Sequence, residues 1–268
     1  MIFGVMQGRL LPSFKSQYQA HPVTNWKHEF ELASNNKIQS IEFIVDSYLY
    51  HANPIITTNG IEEIKDVINK TGIKVKSICA DIFMQWPLKE MDIKEIRIYG
   101  EILQRLVSNL SELGGTDIVL PFVDHSSLKK KEDMTFVSSF LDDFEETCIK
   151  SNINLSLETD LEPNQFASYL STFKNNRVTV NYDSGNSASL GYLFEEEIRL
   201  YGERISNIHI KDRKRNGGPV LLGRGDAELV KVKNFINNNY KGLVIFQAFR
   251  DENPILTFQK QLDYFIKL

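Results

Sequence analysis

Cysteine is scarce. Cys79 and Cys148 are the only two in 268 residues, which excludes a disulfide framework and suits a reducing, cytoplasmic setting. No apolar run approaches the roughly 18 residues of a membrane span, so no membrane partner is expected. The opening segment lacks a basic stretch ahead of its apolar residues and meets Gly8 and Arg9 early, so it does not read as a secretory leader. Positive charge is not in excess. A formal net charge of -4 argues against general nucleic-acid binding. Two further absences narrow the enzyme classes. The chain has no GxGxxG after its first strand-like run and no phosphate-loop motif, where an open dinucleotide-binding sheet usually carries a Gly-rich turn. It also has no linker or low-complexity stretch to mark a domain boundary.

What is present is regular. Hydrophobic residues make up 42% of the chain and charged residues 25%, ordinary values for a globular protein with a sizeable core. Eight strand-like runs occupy residues 2–7, 38–45, 73–83, 117–122, 153–159, 178–183, 205–210 and 243–248. Helical patterns separate them. The clearest covers 93–113, another covers 134–149, and a last one follows Asn253-Pro254. Strand and helix alternate throughout, and the length matches the roughly 250 residues of a closed barrel. The expected fold is therefore α/β: one (β/α)8 barrel over residues 1–268. Long loops at 8–24, 46–60, 83–92 and 123–134, bearing Tyr18, His21, Tyr48, Tyr50, His51, Trp86 and His125, are expected over the active face.

Four of these runs end on a polar residue: Glu158, Asp183, His209 and Gln247. In a parallel barrel all strand C-termini lie on one face, where catalytic groups gather. Each residue alone has an ordinary reading, as a helix cap, a turn or a structural histidine. Their equivalent placement, at intervals of 25, 26 and 38 residues, points instead to one shared divalent-cation site. Two carboxylates, an imidazole and an amide oxygen suit Mn, Mg, Co or Zn without choosing among them. Beside His209 runs Lys211-Asp212-Arg213, then Gly223-Arg224-Gly225. Arg9, Lys211, Arg213, Arg224 and Arg250 are expected to make the active face locally basic, with a guanidinium available to a phosphate or carboxylate.

Gly4 to Arg9, Ile41-Glu42-Phe43, Leu157-Glu158, Asp183 to Asn186, His209-Ile210-Lys211-Asp212, Gly223-Arg224-Gly225 and the strand ending at Gln247 together resemble the xylose-isomerase-like TIM barrels, a superfamily of sugar and sugar-phosphate isomerases and epimerases. The resemblance covers nearly the whole chain. It implies a metal held by Glu158, Asp183, His209 and position 247, and a substrate that is a small sugar or sugar phosphate. It implies Glu158 as the carbon base of an enediolate reaction, with Lys211 and Asp212 assisting and Glu42, Asn186, Arg213 and Arg224 orienting metal or substrate. Two positions depart from the pattern: Gln247 stands where a second glutamate base is expected, and Asn186 replaces a common histidine. An amide takes no proton at neutral pH, so one-base aldose–ketose isomerisation is the first reading. An epimerase or inosose-type dehydratase on the same barrel is the second, and a non-catalytic sugar-binding protein the third. Self-association into a homo-oligomer is compatible with all three. Replacing Asp183 or His209 by alanine is expected to remove metal binding without unfolding the barrel.

Overall fold

The computed structural model of the chain describes residues 3–174 and 176–268. Ile2, assigned by its sequence to the first strand, lies outside the described residues. The strands are β1 (Phe3–Met6), β2 (Ser40–Ile44), β3 (Lys74–Cys79), β4 (Asp117–Phe122), β5 (Asn154–Thr159), β6 (Val178–Asp183), β7 (Ile205–Ile210), a two-stranded hairpin of β8 (Asp212–Arg213) and β9 (Pro219–Val220), and β10 (Leu243–Phe246). All but the hairpin pair in parallel and close a barrel in which β10 bonds both β7 and β1. The eight predicted strands are β1 to β7 and β10, shortened at about half of their ends.

The helices are α1 (Trp26–Asn35), α2 (Thr58–Thr71), α3 (Ile82–Gln85), α4 (Ile93–Glu112), α5 (Lys131–Asp142), α6 (Glu145–Ser151), α7 (Pro163–Leu170), α8 (Ser184–Leu190), α9 (Phe194–Tyr201), α10 (Leu229–Asn239) and α11 (Pro254–Lys267). The longest, α4, starts at a capping box in which Asp92 accepts the Glu95 amide and the Glu95 side chain returns to the Asp92 amide. Its buried Tyr99, Ile102, Leu103, Leu106, Val107 and Leu110 recur at helical spacing and face the barrel. The predicted helix over 134–149 is two, α5 and α6. Their shared apolar face runs through the break, where the Phe140 and Phe144 rings lie 5.3 Å apart. The predicted third strand is also cut short: after Cys79 the chain turns at Ala80-Asp81 into α3.

The barrel interior is polar at both ends and apolar between. Met6, Ile44, Cys79, Val119, Leu243 and Ile245 form a cluster of their own. At one end Ser156 Oγ bonds Asp117, Thr179 and Ser206 at 3.0, 3.0 and 2.8 Å. Alternation along a strand puts residues two apart on one face. Ser156 and Glu158, or Thr179, Asn181 and Asp183, therefore climb the same inner wall. On β7 the pairing with β6 shifts register, Val180 opposing Ile205 and Asn181 opposing Asn207. Ser206 is skipped, and both Ser206 and Asn207 make hydrogen bonds inside the barrel. Above the shift, His209 and Lys211 keep the inward phase.

Candidate active site

Glu158, Asp183 and His209 converge at the C-terminal ends of β5, β6 and β7. One ligating atom from each lies within 4.8 Å of the others, and all three residues are buried. The local fold prepares each one. Asp183 is the N-cap of α8, and its Oδ1 accepts the amides of Gly185 and Asn186 at 2.9 and 2.8 Å, leaving Oδ2 free of that duty. Glu158 Oε1 accepts from Asn186 Nδ2 at 2.6 Å and Oε2 from Asn181 Nδ2 at 2.7 Å. Asn186 Oδ1 is in turn held by Arg213 Nη1 at 2.9 Å. Two amides thus fix the orientation of the carboxylate.

His209 stands between acids on both edges of its ring. Nε2 lies 2.7 Å from Glu42 Oε1, both side chains having no solvent exposure. The contact is off the line of an ideal hydrogen bond, and the distance identifies it as an ion pair or tight donor–acceptor pair. The other Glu42 oxygen accepts from Ser77 Oγ and Asn207 Nδ2, each at 2.7 Å. On the inner edge, Nδ1 is 3.5 Å from Glu158 Oε2 and 4.0 Å from Asp183 Oδ2. Burial alone would lower the imidazole pKa; Glu42 and Glu158 reverse this and raise it to about 10. Burial pushes the Glu42 carboxyl up, yet His209 and the two neutral donors bring it below its ordinary value. A cation between Glu158 and Asp183 would offset the acids and leave the ring neutral, Nδ1 inward and Nε2–H on Glu42.

The donor set fits such a cation. Two carboxylates and one imidazole nitrogen within 4.8 Å match ligands about 2.0–2.6 Å from a shared centre. Asp183 Oδ2 is buried without an aligned hydrogen bond, although Lys211 Nζ lies 2.7 Å away. Gln247 is partly engaged elsewhere. Its Oε1 accepts from Lys211 Nζ at 2.7 Å and its Nε2 donates to Gln19 Oε1 at 2.8 Å. Its amide oxygen therefore spends one lone pair on Lys211 and keeps the other for a metal. Lys211 is itself buried, its stem over Gly185, where a Cβ would fall 2.8 Å from Lys211 Cγ. Burial lowers the ammonium pKa, but Asp183 and Glu158 outweigh it, and the net direction is up.

Above the cluster opens a cavity of about 460 Å³, lined by Gln19, Asp81, Glu158, Asn186, Lys211, Arg213 and Gln247, with Tyr18, Met84, Pro121, Val123, Asp124 and Pro219 on its walls. Several expected residues are elsewhere. Glu42 is fully buried beneath His209 and does not line the cavity. Asp212 spends both oxygens on the amides of Gly223, Gly225 and Ala227 at 2.9–3.0 Å; it folds the loop, and a Cβ at Gly225 would fall 1.9 Å from Asp212 Oδ1. Arg224 is exposed and outside the cavity. Arg250 donates to the carbonyls of Gly8, Gln17 and Tyr18, and Arg9 lies over the Tyr18 ring and donates to Gln19. The basic active face is thereby reduced to Lys211 and Arg213. Of the loop aromatics only Tyr18 lines the cavity. His21 is buried on Gln7, and burial lowers its pKa to about 4.

Asp81, Gln19 and Asn181 were not foreseen from the sequence. Asn181 had a signal, standing two residues before Asp183 and so on its face. Asp81 had none: it lies inside the run 73–83 that reads as the third strand, and only the early end of β3 at Cys79 puts it at a strand end.

A family model described as xylose isomerase-like TIM barrel matches residues 30–268. A Haemophilus influenzae protein named for L-ribulose-5-phosphate 3-epimerase activity is 22% identical over 250 residues, 86% of this chain and 87% of that one. Among solved structures, 3-keto-D-glucoside 4-epimerase from E. coli superposes with a TM-score of 0.73 at 18% identity, covering 100% of both chains. The IolI protein with a bound zinc atom gives 0.75 at 17%, covering 100% of this chain and 98% of that one. D-psicose 3-epimerase from Clostridium cellulolyticum H10, with D-tagatose, gives 0.76 at 15%, covering 100% and 99%. With eight parallel strands closed into a barrel and a family match over most of its length, this chain belongs to the xylose isomerase-like TIM barrel family.

Proposed function

We propose that the protein is an isomerase or epimerase that enolises a small keto sugar, with Glu158 as the carbon base. The single observation that carries this reading is the position of Glu158. It is the one carboxylate that belongs both to the Glu158–Asp183–His209 cluster and to the lining of the cavity. A divalent ion held by Glu158, Asp183 and His209 would polarise the substrate carbonyl and lower the acidity barrier at the adjacent carbon. The chain's own residues do the rest. Asn181 and Asn186 hold the Glu158 carboxylate in one orientation, Arg213 fixes Asn186, and Lys211 ties Gln247 to Asp183. Glu158 then takes the proton alpha to the carbonyl, leaving an enediolate. Returned by Glu158 to the neighbouring carbon, that proton gives the aldose–ketose isomer.

The lining favours an uncharged sugar over a sugar phosphate. Lys211 contacts Asp183 and Gln247, and Arg213 contacts Asn186 and the Gly217 carbonyl. Among the described residues no other cation lines the cavity. A second reading, inversion at one carbon, is supported by the epimerase names of the relatives and needs a further proton-transfer group.

The test is proton NMR in heavy water with D-tagatose, D-fructose and L-ribulose 5-phosphate, in the presence of Mn²⁺. The native protein is expected to exchange a carbon-bound proton of an unphosphorylated ketose. Glu158→Gln is expected to lower that exchange about 10³-fold, within the range for loss of a general base. Binding without exchange would support a non-catalytic sugar-binding protein instead.

A further inference from the structure

Asp81 is a buried carboxyl with no structural employment. It follows β3 at the head of α3, yet its side chain caps nothing there. It is 1% exposed and lines the same cavity as Glu158; only β4 separates their strands. Its contacts are neutral. Cys79 Sγ donates to Oδ1 at 3.2 Å, and Gln19 Nε2 lies 2.8 and 2.6 Å from the two oxygens. Among the described residues no cation pairs with it. The two that line the cavity are committed to Asp183, Gln247, Asn186 and Gly217, and Arg9 and Arg250 are committed to the β1 loop. The charged groups that act on it, Glu158 and Asp46, are acids. Burial, with these two neighbours, raises its pKa to about 6. An acid in this setting holds a proton that it can release.

Gln19 ties this group to the weak point of the site. Its Oε1 accepts from Gln247 Nε2 while its Nε2 serves Asp81. The amide at position 247 transfers no proton, and the carboxyl one side chain further along the same hydrogen-bond chain does.

We propose that Asp81 is the second acid–base residue of the cavity and that the reaction is inversion at the carbon alpha to the carbonyl. The inference rests on the enolisation reading above. Glu158 takes the proton from one face, the C–H electron pair passing into the enediolate. The enediolate takes a different proton from Asp81 on the other face, re-forming C–H and carbonyl and leaving Asp81 as carboxylate. Nothing is oxidised or reduced. Exchange of both carboxyls with water restores the starting state, and in the reverse direction the two residues swap roles.

The experiment follows D-tagatose, D-fructose and L-ribulose 5-phosphate in heavy water with Mn²⁺, by NMR, for the native protein, Asp81→Asn and Glu158→Gln. The native protein should form the epimer with deuterium at the inverted carbon. Asp81→Asn should lose inversion by at least 100-fold while still washing deuterium into unreacted substrate within about threefold of the native rate, which also reports that the variant is folded. Glu158→Gln should lose wash-in from the substrate that Asp81→Asn still exchanges. Inversion at native rate in Asp81→Asn, or equal loss of inversion and wash-in, overturns the assignment. Wash-in without inversion in the native protein also overturns it and leaves the one-base isomerase reading standing. No exchange on any sugar defeats both.

Discussion

Because His209 and Glu42 are fully buried and 2.7 Å apart, neither can be removed alone without stranding the other. The sequence places His209 among metal ligands and expects its loss to spare the fold. The structure changes that expectation. His209→Ala should cost about 3–5 kcal/mol, the usual penalty for breaking a buried pair from one side, read as a lowered denaturation midpoint without metal. Adding Glu42→Gln should recover part of it; an unchanged midpoint in His209→Ala would show the pair to be idle. Asp183→Ala should abolish Mn²⁺ binding by calorimetry with less damage to the fold. Gln247→Glu should tighten Mn²⁺ binding, on the order of tenfold, by returning a negative ligand; weaker binding would mean that Lys211 captures the new carboxylate. Glu158, Asp183 and His209 were legible because each ends an apolar run. The pairing of Glu42 with His209 was not, since nothing in Ile-Glu-Phe says which later residue will face it.

Among the elements, the segment after β1 is the one that function leans on most. It brings Gln17, Tyr18 and Gln19 to the cavity and is held at its base from two sides. Glu29 on α1 accepts the amides of Gly8 and Leu10 at 2.7 and 3.0 Å, and Arg250 beyond β10 gathers its carbonyls. Arg250→Ala should therefore loosen the loop, raise KM roughly tenfold, equivalent to about 1.4 kcal/mol, and expose the segment to limited proteolysis. A native KM would show that Glu29 suffices. The strands themselves were readable because a parallel barrel buries both faces and writes continuous apolar runs. The split of α5 from α6 was not, because the Phe140–Phe144 contact continues the apolar spacing across it. Arg9 and Arg250 show the same limit. Their charge is plain in the sequence, but whether it faces a ligand or a carbonyl is decided by how the loop after β1 folds, which Arg9 meets at Tyr18 and Arg250 meets from the far end of the chain.

Across the whole molecule, Glu29 and Glu197 join His209 in lowering stability as pH rises. Burial raises Glu29 to about 7 against the hydrogen bonds of Gly8 and Leu10. It raises Glu197 to about 7 against the Tyr201 and Ser187 hydroxyls. A folded-state pKa above the unfolded value means that the native chain holds protons which the unfolded chain has lost. This stabilisation is complete below about 4.5 and disappears as pH rises through 7. His21, depressed to about 4, acts in the opposite sense, but only between about 4 and 6.5. From pH 6 to 8 the two carboxyls contribute about 1 kcal/mol each, and His209, raised to about 10, adds to the same fall because the unfolded chain loses its proton through about 6.5. Denaturant midpoints should fall over that interval, and fall less in a Glu29→Gln, Glu197→Gln double variant. A parallel decline in both proteins would place the titration elsewhere.

The skipped Ser206 on β7 carries a lesson for tolerated change in length. Below it the strand pairs in one phase with β6, and above it in another. Everything that matters chemically on β7, namely His209 and Lys211, lies above. Excising Ser206 would restore even pairing with β6 and leave Asn207 opposite Asn181 and His209 opposite Asp183, so the inner face would keep its residues. A library of single-residue deletions should accordingly tolerate loss of Ser206 better than loss of Ile210, which would shift Lys211 to the outer phase.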